Sequence, residues 1–124
     1  MNLALWIVQG LLALAFLVAG SMRLLVPRDK LAAQQAWVND FSPAMVKLIG
    51  ALEILGAIGL IAPGVTGILP GLTLLAAAGL ALTMIGAIRT HVRRHEYPII
   101  GVNGALLALA IVVVVGRVMG APLA

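Results

Sequence analysis

The chain has 124 residues, of which 63% are hydrophobic and only 10% charged, with a formal net charge of +4. A soluble domain is typically about half apolar and about a quarter charged. The composition therefore excludes an ordinary soluble core and indicates a single small domain in a lipid bilayer. The absence of cysteine excludes disulfides, thiol catalysis and cysteine-ligated metals.

Four apolar runs predict four membrane-spanning helices. Each run is about 20 residues long, the length that crosses the hydrocarbon core, and irregular backbone is excluded from lipid. The predicted helices cover residues 3–25, 44–62, 68–88 and 98–119. No Lys or Arg precedes the first run, unlike in a signal peptide, so the first helix is predicted to be retained. The predicted fold is all-α, an integral membrane antiparallel four-helix bundle that forms one domain over residues 1–124.

The first connection, residues 27–43, is predicted to lie at the membrane interface. Leu31, Val38 and Phe41 repeat at helical spacing, with Trp37 beside them. This pattern indicates a short amphipathic helix anchored by Trp37 and Phe41.

Lysine and arginine predict the orientation. Seven of the eight basic residues lie on the side of the first and third connections, and only Arg117 lies opposite. The seven are Arg23, Arg28, Lys30, Lys47, Arg89, Arg93 and Arg94. The connections 27–43 and 89–97 are therefore predicted to be cytoplasmic and both termini outside. Because these residues bracket apolar runs and form no continuous stripe, nucleic acid is not a predicted partner.

Two histidines in the third connection, His91 and His95, have the i, i+4 spacing that can chelate a metal on a helix. No third ligand is evident apart from Glu96 or Asp29, and neither histidine is predicted to be deep enough to bind haem. A solvated basic cap is therefore favoured, with no metal site. Its predicted neighbours are anionic lipid headgroups, which would bind Arg89, Arg93 and Arg94.

Glu53 is the most informative residue in the chain. It is the only charged residue between Leu48 and Ala62, and it is predicted to lie about 13 Å from either edge of the bilayer at about 1.5 Å of rise per residue. Ionisable groups at such depth usually face a bundle interior, a cavity or a partner.

Each predicted helix has a face of small or polar residues, which permit close approach and hydrogen bonds between helices in lipid. These faces are predicted to point inward. They comprise Gln9, Ala13, Phe16, Gly20 and Arg23; Gly50, Glu53, Gly56 and Ala57; Ala76, Gly79, Thr83, Gly86, Ala87 and Thr90; and Asn103, Leu106, Leu107 and Ala110.

The direction of side chains suggests partners for Glu53. Side chains lean toward the N-terminus of their own helix, so Arg23 and Glu53 on antiparallel helices point toward each other. Asn103 and Thr83 lie closer in depth and could bond Glu53 directly; Gln9 completes the predicted pocket residues. Two roles for Glu53 remain open at this point, a paired carboxyl that locks the bundle and an acid or ligand-binding group in a polar pocket. No residue is predicted to be catalytic.

Three stretches and Asn103 carry a family resemblance. They are FLVAGSMRLL (16–25), FSPAMVKLIGALEILGAIGL (41–60) and GLALTMIGAIRTHVRRHE (79–96). The chain resembles the DoxX-like family of small bacterial four-helix membrane proteins over almost its whole length. The centre Gly50-x-x-Glu53-x-x-Gly56 is the most specific part, whereas many relatives carry lysine at the Arg23 position.

The resemblance implies a bacterial plasma (inner) membrane protein and an association with quinones, because the family takes its name from a subunit of a thiosulfate:quinone oxidoreductase. No cofactor site is evident in the residues; the candidate ligand is a quinone headgroup or a similar small polar molecule, and independent catalysis is not expected. The first hypothesis is a membrane subunit or small-ligand module with a polar pocket around Glu53, Arg23, Thr83 and Asn103. The alternative is a non-catalytic structural or assembly partner of a membrane complex. Transport is disfavoured, because four short helices offer few polar positions for a pore.

Overall fold

Four long helices form the protein, as the apolar runs predict. The computed structural model describes residues 2–120. Its helices are α1 (Asn2–Leu25), α2 (Arg28–Gln34), a 3-10 helix (Ala36–Asp40), α3 (Pro43–Thr66), α4 (Leu72–Arg93) and α5 (Tyr97–Val115), which continues into a π-helical turn (Gly116–Gly120). The helices α1, α3 and α4, and α5 with its turn, are each long and apolar enough to cross a membrane. The predicted integral membrane four-helix bundle is confirmed.

Each long helix packs against two others around a small apolar core. α1 and α4 each contact α3 and α5. Leu12, Phe16, Leu60 and Val113 are fully buried at the centre. Large apolar side chains cover the outside of all four helices, which in water would be unfavourable and in lipid is not.

The closest helix contact joins α1 to α3 through two glycines. A methyl group on Gly20 would lie 2.6 Å from the carbonyl oxygen of Gly50, and one on Gly50 would lie 2.8 Å from that of Gly20. No real side chain fits at such distances, so both positions require glycine. Arg23 and Glu53 each lie one turn beyond this crossing on their own helix.

The α3–α4 contact uses small residues mainly on the α3 side. A methyl group on Gly56 would lie 2.7 Å from Leu80, and one on Gly59 would lie 2.7 Å from Ala76. Since glycines of α3 already make the room, α4 can present a larger side chain such as Leu80.

For this reason the inward face predicted for α4 is wrong at two positions. Gly79 and Gly86 are exposed, and a methyl group on either would meet nothing within 4 Å. The buried face of α4 consists instead of Thr73, Ala77, Leu80, Met84 and His91. The inward faces predicted for the other three helices are buried or half-buried along their lengths.

α3 passes through Pro63 and ends four residues later than residue 62, where the sequence predicted its end. Proline has no N–H, so the Gly59 carbonyl one turn earlier loses its helical donor. The hydroxyl of Thr73 on α4 donates to that carbonyl at 2.9 Å. The helix can continue because a neighbouring helix replaces the missing bond.

Thr73→Val should therefore destabilise the bundle by about 1–2 kcal/mol, because it leaves the Gly59 carbonyl without a donor. The measurement is the free energy of unfolding in mixed micelles. Thr90→Val is the matched control, because the Thr90 hydroxyl donates to the Gly86 carbonyl of its own helix in an exposed hydrogen bond. Equal losses for the two variants would contradict this role of Thr73.

α4 begins and ends several residues later than the predicted 68–88. Gly67, with φ 72°, ends α3, and the turn that follows occupies the start of the apolar run. At the other end α4 closes with a Schellman motif, in which the His95 and Glu96 N–H groups donate to the Val92 and His91 carbonyls at 3.2 and 2.9 Å. His95 adopts the left-handed conformation, φ 58°, that this motif requires.

Residues 27–42, the capping segment, fold over one end of the bundle. Leu31, Trp37 and Val38 are buried there against Val46 of α3. The segment is split into α2 and the 3-10 helix, and it packs on protein through Trp37, which is only 8% exposed. The interfacial anchoring predicted for Trp37 is therefore replaced by packing against the bundle.

Candidate functional site

The glycine crossing brings Arg23 and Glu53 together inside the bundle. Arg23 Nη1 donates a hydrogen bond to Glu53 Oε1 and forms an ion pair with it. The Glu53 side chain is 1% exposed and that of Arg23 is 16% exposed. Both side chains lean back toward the crossing, as their opposite helix directions predict. A pair this deep needs such direct geometry to offset the loss of hydration.

The capping segment holds Arg23 from the other side. Trp37 lies 5.0 Å from the guanidinium carbon, in cation–π geometry, and Arg23 Nη2 donates to Gln35 Oε1 at 3.4 Å. Arg23 thus connects the capping segment to the carboxyl on α3. These contacts fix the guanidinium on three sides.

Several buried polar atoms beside this pair have no hydrogen-bond partner within residues 2–120. They include Glu53 Oε2, Arg23 Nε and Asn103 Nδ2. A buried polar group without a partner costs about 1–3 kcal/mol, and such groups are rare in folded proteins. The site therefore presents one free acceptor and two free donors in a small volume.

Two cavities share the residues that carry these atoms. The α3/α4 cavity has a volume of about 260 Å³ and the α1/α5 cavity one of about 410 Å³. Six residues line both: Arg23, Trp37, Glu53, Met84, His91 and Asn103. Glu53 thus borders a cavity on each of two sides of the bundle.

The structure brings most of the predicted pocket residues together. Asn103 and Thr83 line the α3/α4 cavity with Arg23 and Glu53. Neither makes the direct bond to Glu53 that the sequence suggested, because the Thr83 hydroxyl donates to the Gly79 carbonyl at 3.0 Å and Asn103 Nδ2 has no partner.

Gln9 belongs to a separate polar cluster at the opposite end of α1. Its amide donates to the Leu60 carbonyl at 2.5 Å and accepts from Arg117 Nε at 2.7 Å. Arg117 also donates to Asn2 and lies over the Trp6 ring. Gln9 is inward-facing, as predicted, but it ties α1 to α3 and to the π-helical turn and does not line either cavity.

His91 is the site residue that the sequence interpretation missed. It is 8% exposed and lines both cavities, so the predicted solvated cap is wrong for His91. The Schellman motif returns Glu96 toward it, and Nδ1 of His91 lies 3.0 Å from Glu96 Oε1. A carboxylate only accepts, so Nδ1 carries the hydrogen. His91 lies one heptad after Met84 on the buried face of α4, a face that the sequence analysis did not select.

Arg94 fastens the capping segment to the end of α4. Its Nη1 donates to Asp40 Oδ1 at 2.8 Å, and its Nε lies 3.3 Å from Glu96 Oε1. The hydrogen bond to Asp40 raises the pKa of Arg94 above its ordinary value, so Arg94 remains a cation. His95 contacts the Tyr97 hydroxyl at 2.9 Å and does not converge with His91.

These features define a class: a small four-helix membrane protein with a capped, buried polar site at one end. The model of the DoxX-like family matches residues 7–113, which include every residue of the site. The chain belongs to the DoxX-like family. No curated protein and no solved structure matched the sequence.

Proposed function

We propose that the protein is a membrane module that binds a small ligand, a quinone headgroup, in the cavities around Glu53. The observation that carries this proposal is the presence of unpaired hydrogen-bonding atoms on Glu53 and Asn103, which line both cavities. If Glu53 served only to hold the helices together through its pair with Arg23, there would be no reason for these atoms to lack partners. Ligand sites between bundle helices are typically apolar clefts with a few placed polar groups.

The free atoms suit a quinone and its reduced form. A quinone carbonyl can accept from Asn103 Nδ2 or Arg23 Nε, and a quinol hydroxyl can donate to Glu53 Oε2. Trp37 and Met84 supply the flat apolar wall that a ring needs. The module binds and orients the ring; no residue of the site is assigned a catalytic role.

Glu53→Gln tests this function directly. The protein in nanodiscs is titrated with a fully ring-substituted para-benzoquinone that carries a decyl chain, and quenching of Trp37 fluorescence is followed in a Trp6→Phe background. We expect saturable quenching, with the apparent Kd at least tenfold weaker in Glu53→Gln, because the amide loses the charge that accepts from the ligand and positions Arg23. Asp29→Asn, which removes an exposed carboxylate in the same way, should change nothing.

Binding that survives both Glu53→Gln and Glu53→Ala unchanged would sink this proposal. The assembly alternative would then gain support if a membrane protein co-purified and were lost on replacing exposed residues of the capping segment, such as Lys30. Trp37 is unsuitable as that probe because it is buried.

We further propose a bacterial plasma membrane location with the capped end cytoplasmic and both termini outside. The support is the seven-to-one distribution of basic residues across the bundle. Anionic lipid headgroups would bind Arg89 and Arg93, which are exposed, and Arg94, which with Arg93 lines a surface hollow of about 720 Å³.

A further inference from the structure

The α3/α4 cavity reaches the lipid-facing surface of the bundle at Gly86. This glycine is exposed, and a methyl group on it would meet no atom within 4 Å. Thr83, Ala87 and Thr90 continue the same wall of the cavity. These four residues, here called the mouth, carry only small side chains. The larger α4 residues of the cavity, Met84 and His91, are buried, and Phe41 and Ile49 line the cavity from the capping segment and α3.

The inner end of this cavity is polar. Glu53, 1% exposed, and Asn103, 8% exposed, both line it, and each has an atom without a partner among residues 2–120. A stripe of small residues is common on membrane helices and indicates nothing alone. Here the stripe leads to buried atoms that need hydrogen bonds.

The other approaches to Glu53 are lined by larger side chains. At the capped end, Trp37 packs edge-on against Phe41 with ring centroids 5.7 Å apart, and Trp37 also covers Arg23. The α1/α5 cavity is walled by Phe16, Ile99 and Leu106 among others. The residues of the mouth on α4, in contrast, are all small, whereas the α1/α5 cavity combines these large side chains with Ala15 and Ala19.

We infer that the mouth is a lateral entrance through which the ligand arrives from the bilayer. The ligand class is a membrane-dissolved amphiphile, with a polar ring that bonds Glu53 and Asn103 and an apolar chain that extends between α3 and α4 past Gly86 into lipid. A ligand that arrived from water at the capped end would instead meet Trp37 and Phe41. This inference rests on the proposed function. It adds the route by which the ligand enters and the position of the ligand's apolar chain.

The absence of cysteine from the sequence makes the route testable in one folded sample. Gly86→Cys and, as matched control, Gly101→Cys are made in the Trp6→Phe background and placed in nanodiscs. Gly101 is also exposed in a helix with nothing within 4 Å, but it lies on α5 and lines neither cavity. Each thiol is converted to a mixed disulfide with benzyl methanethiosulfonate, and the decyl benzoquinone titration is repeated before modification, after it, and after reduction and removal of the reductant.

We expect the benzyl group at position 86 to raise the apparent Kd at least tenfold and reduction to restore it. The same group at position 101 should change the apparent Kd less than twofold. Saturating decyl benzoquinone should also slow modification of Gly86→Cys by at least threefold and leave Gly101→Cys unaffected. Because the blocked and unblocked proteins are the same folded molecules, misfolding cannot produce this pattern.

Two results would overturn the inference, and they differ. If both adducts bind alike while Glu53→Gln loses binding, the lateral route is wrong and the proposed function stands. If the unmodified protein shows no saturable quenching, the proposed function and the route fall together.

Discussion

Replacing Arg23 with alanine is expected to destabilise the folded bundle by about 3–5 kcal/mol, the largest loss at any single position of the site. Glu53 would keep its buried carboxyl and lose its bonded cation, and Trp37 and Gln35 would lose the group that they hold. The measurement is the free energy of unfolding from a denaturing-detergent titration followed by circular dichroism.

The double variant Arg23→Ala/Glu53→Ala separates pairing from packing. The double variant should have a higher free energy of unfolding than Arg23→Ala, because removing both charges leaves no unpaired ion buried in the bundle. Arg89→Ala, at an exposed position, should cost at most about 0.5 kcal/mol. A double variant that loses as much as the sum of the two single variants would show that the two side chains are not coupled.

Gly20→Val should destabilise the bundle by about 1–3 kcal/mol through overpacking. Even its first added carbon would lie 2.6 Å from the Gly50 carbonyl and 3.2 Å from Glu53 Cβ, so α1 and α3 must separate. Separation also pulls Arg23 away from Glu53, so the variant should weaken decyl benzoquinone binding together with stability. Both are measured on the same nanodisc sample.

Gly10→Val supplies the matched control on the same helix. Nothing lies within 4 Å of a methyl group at Gly10, which faces lipid. Its stability should equal or exceed that of the unmodified protein, because glycine is a poor helix former. Equal effects of Gly10→Val and Gly20→Val would contradict the claim that the contact between α1 and α3 requires glycine at position 20.

The sequence predicted the fold well because membrane helices depend on local composition. Apolar length alone located four helices, and the opposite lean of side chains on antiparallel helices made Arg23 one of three candidate partners of Glu53, beside Asn103 and Thr83. These are properties of single helices and of simple geometry. The position of each helix needs no knowledge of its neighbours, whereas the contact between Arg23 and Glu53 also requires that α1 and α3 pack together.

The face of α4 could not be predicted in this way. The predicted stripe of small residues and the stripe that is buried in the structure are equally regular along that helix. The choice between them depends on which side chains α3 presents to α4. Gly56 and Gly59 make room on the α3 side, so Leu80 can face inward and Gly86 can face outward. Packing of this kind is a property of the pair of helices.

The capping segment shows a second limit. The apolar face of an amphipathic segment can pack on lipid or on protein, and the sequence pattern is the same in both cases. The contacts of Trp37 with Arg23 and of Asp40 with Arg94 show that this segment packs on the protein. The same holds for His91, whose burial depends on Glu96 returning after the end of α4. Each of these residues joins the site through a contact distant in sequence or across a turn.

The bonded pair of Arg23 and Glu53 also determines how the site responds to membrane potential. The potential acts with about 2.3 kcal/mol per elementary charge per 100 mV, but the opposite charges of an ion pair at nearly the same depth experience opposite and nearly equal work. A neutral ligand that binds without separating them should therefore have the same affinity in an energised and a de-energised membrane. Replacing either residue alone would leave a net charge in the field and make the site electrically sensitive.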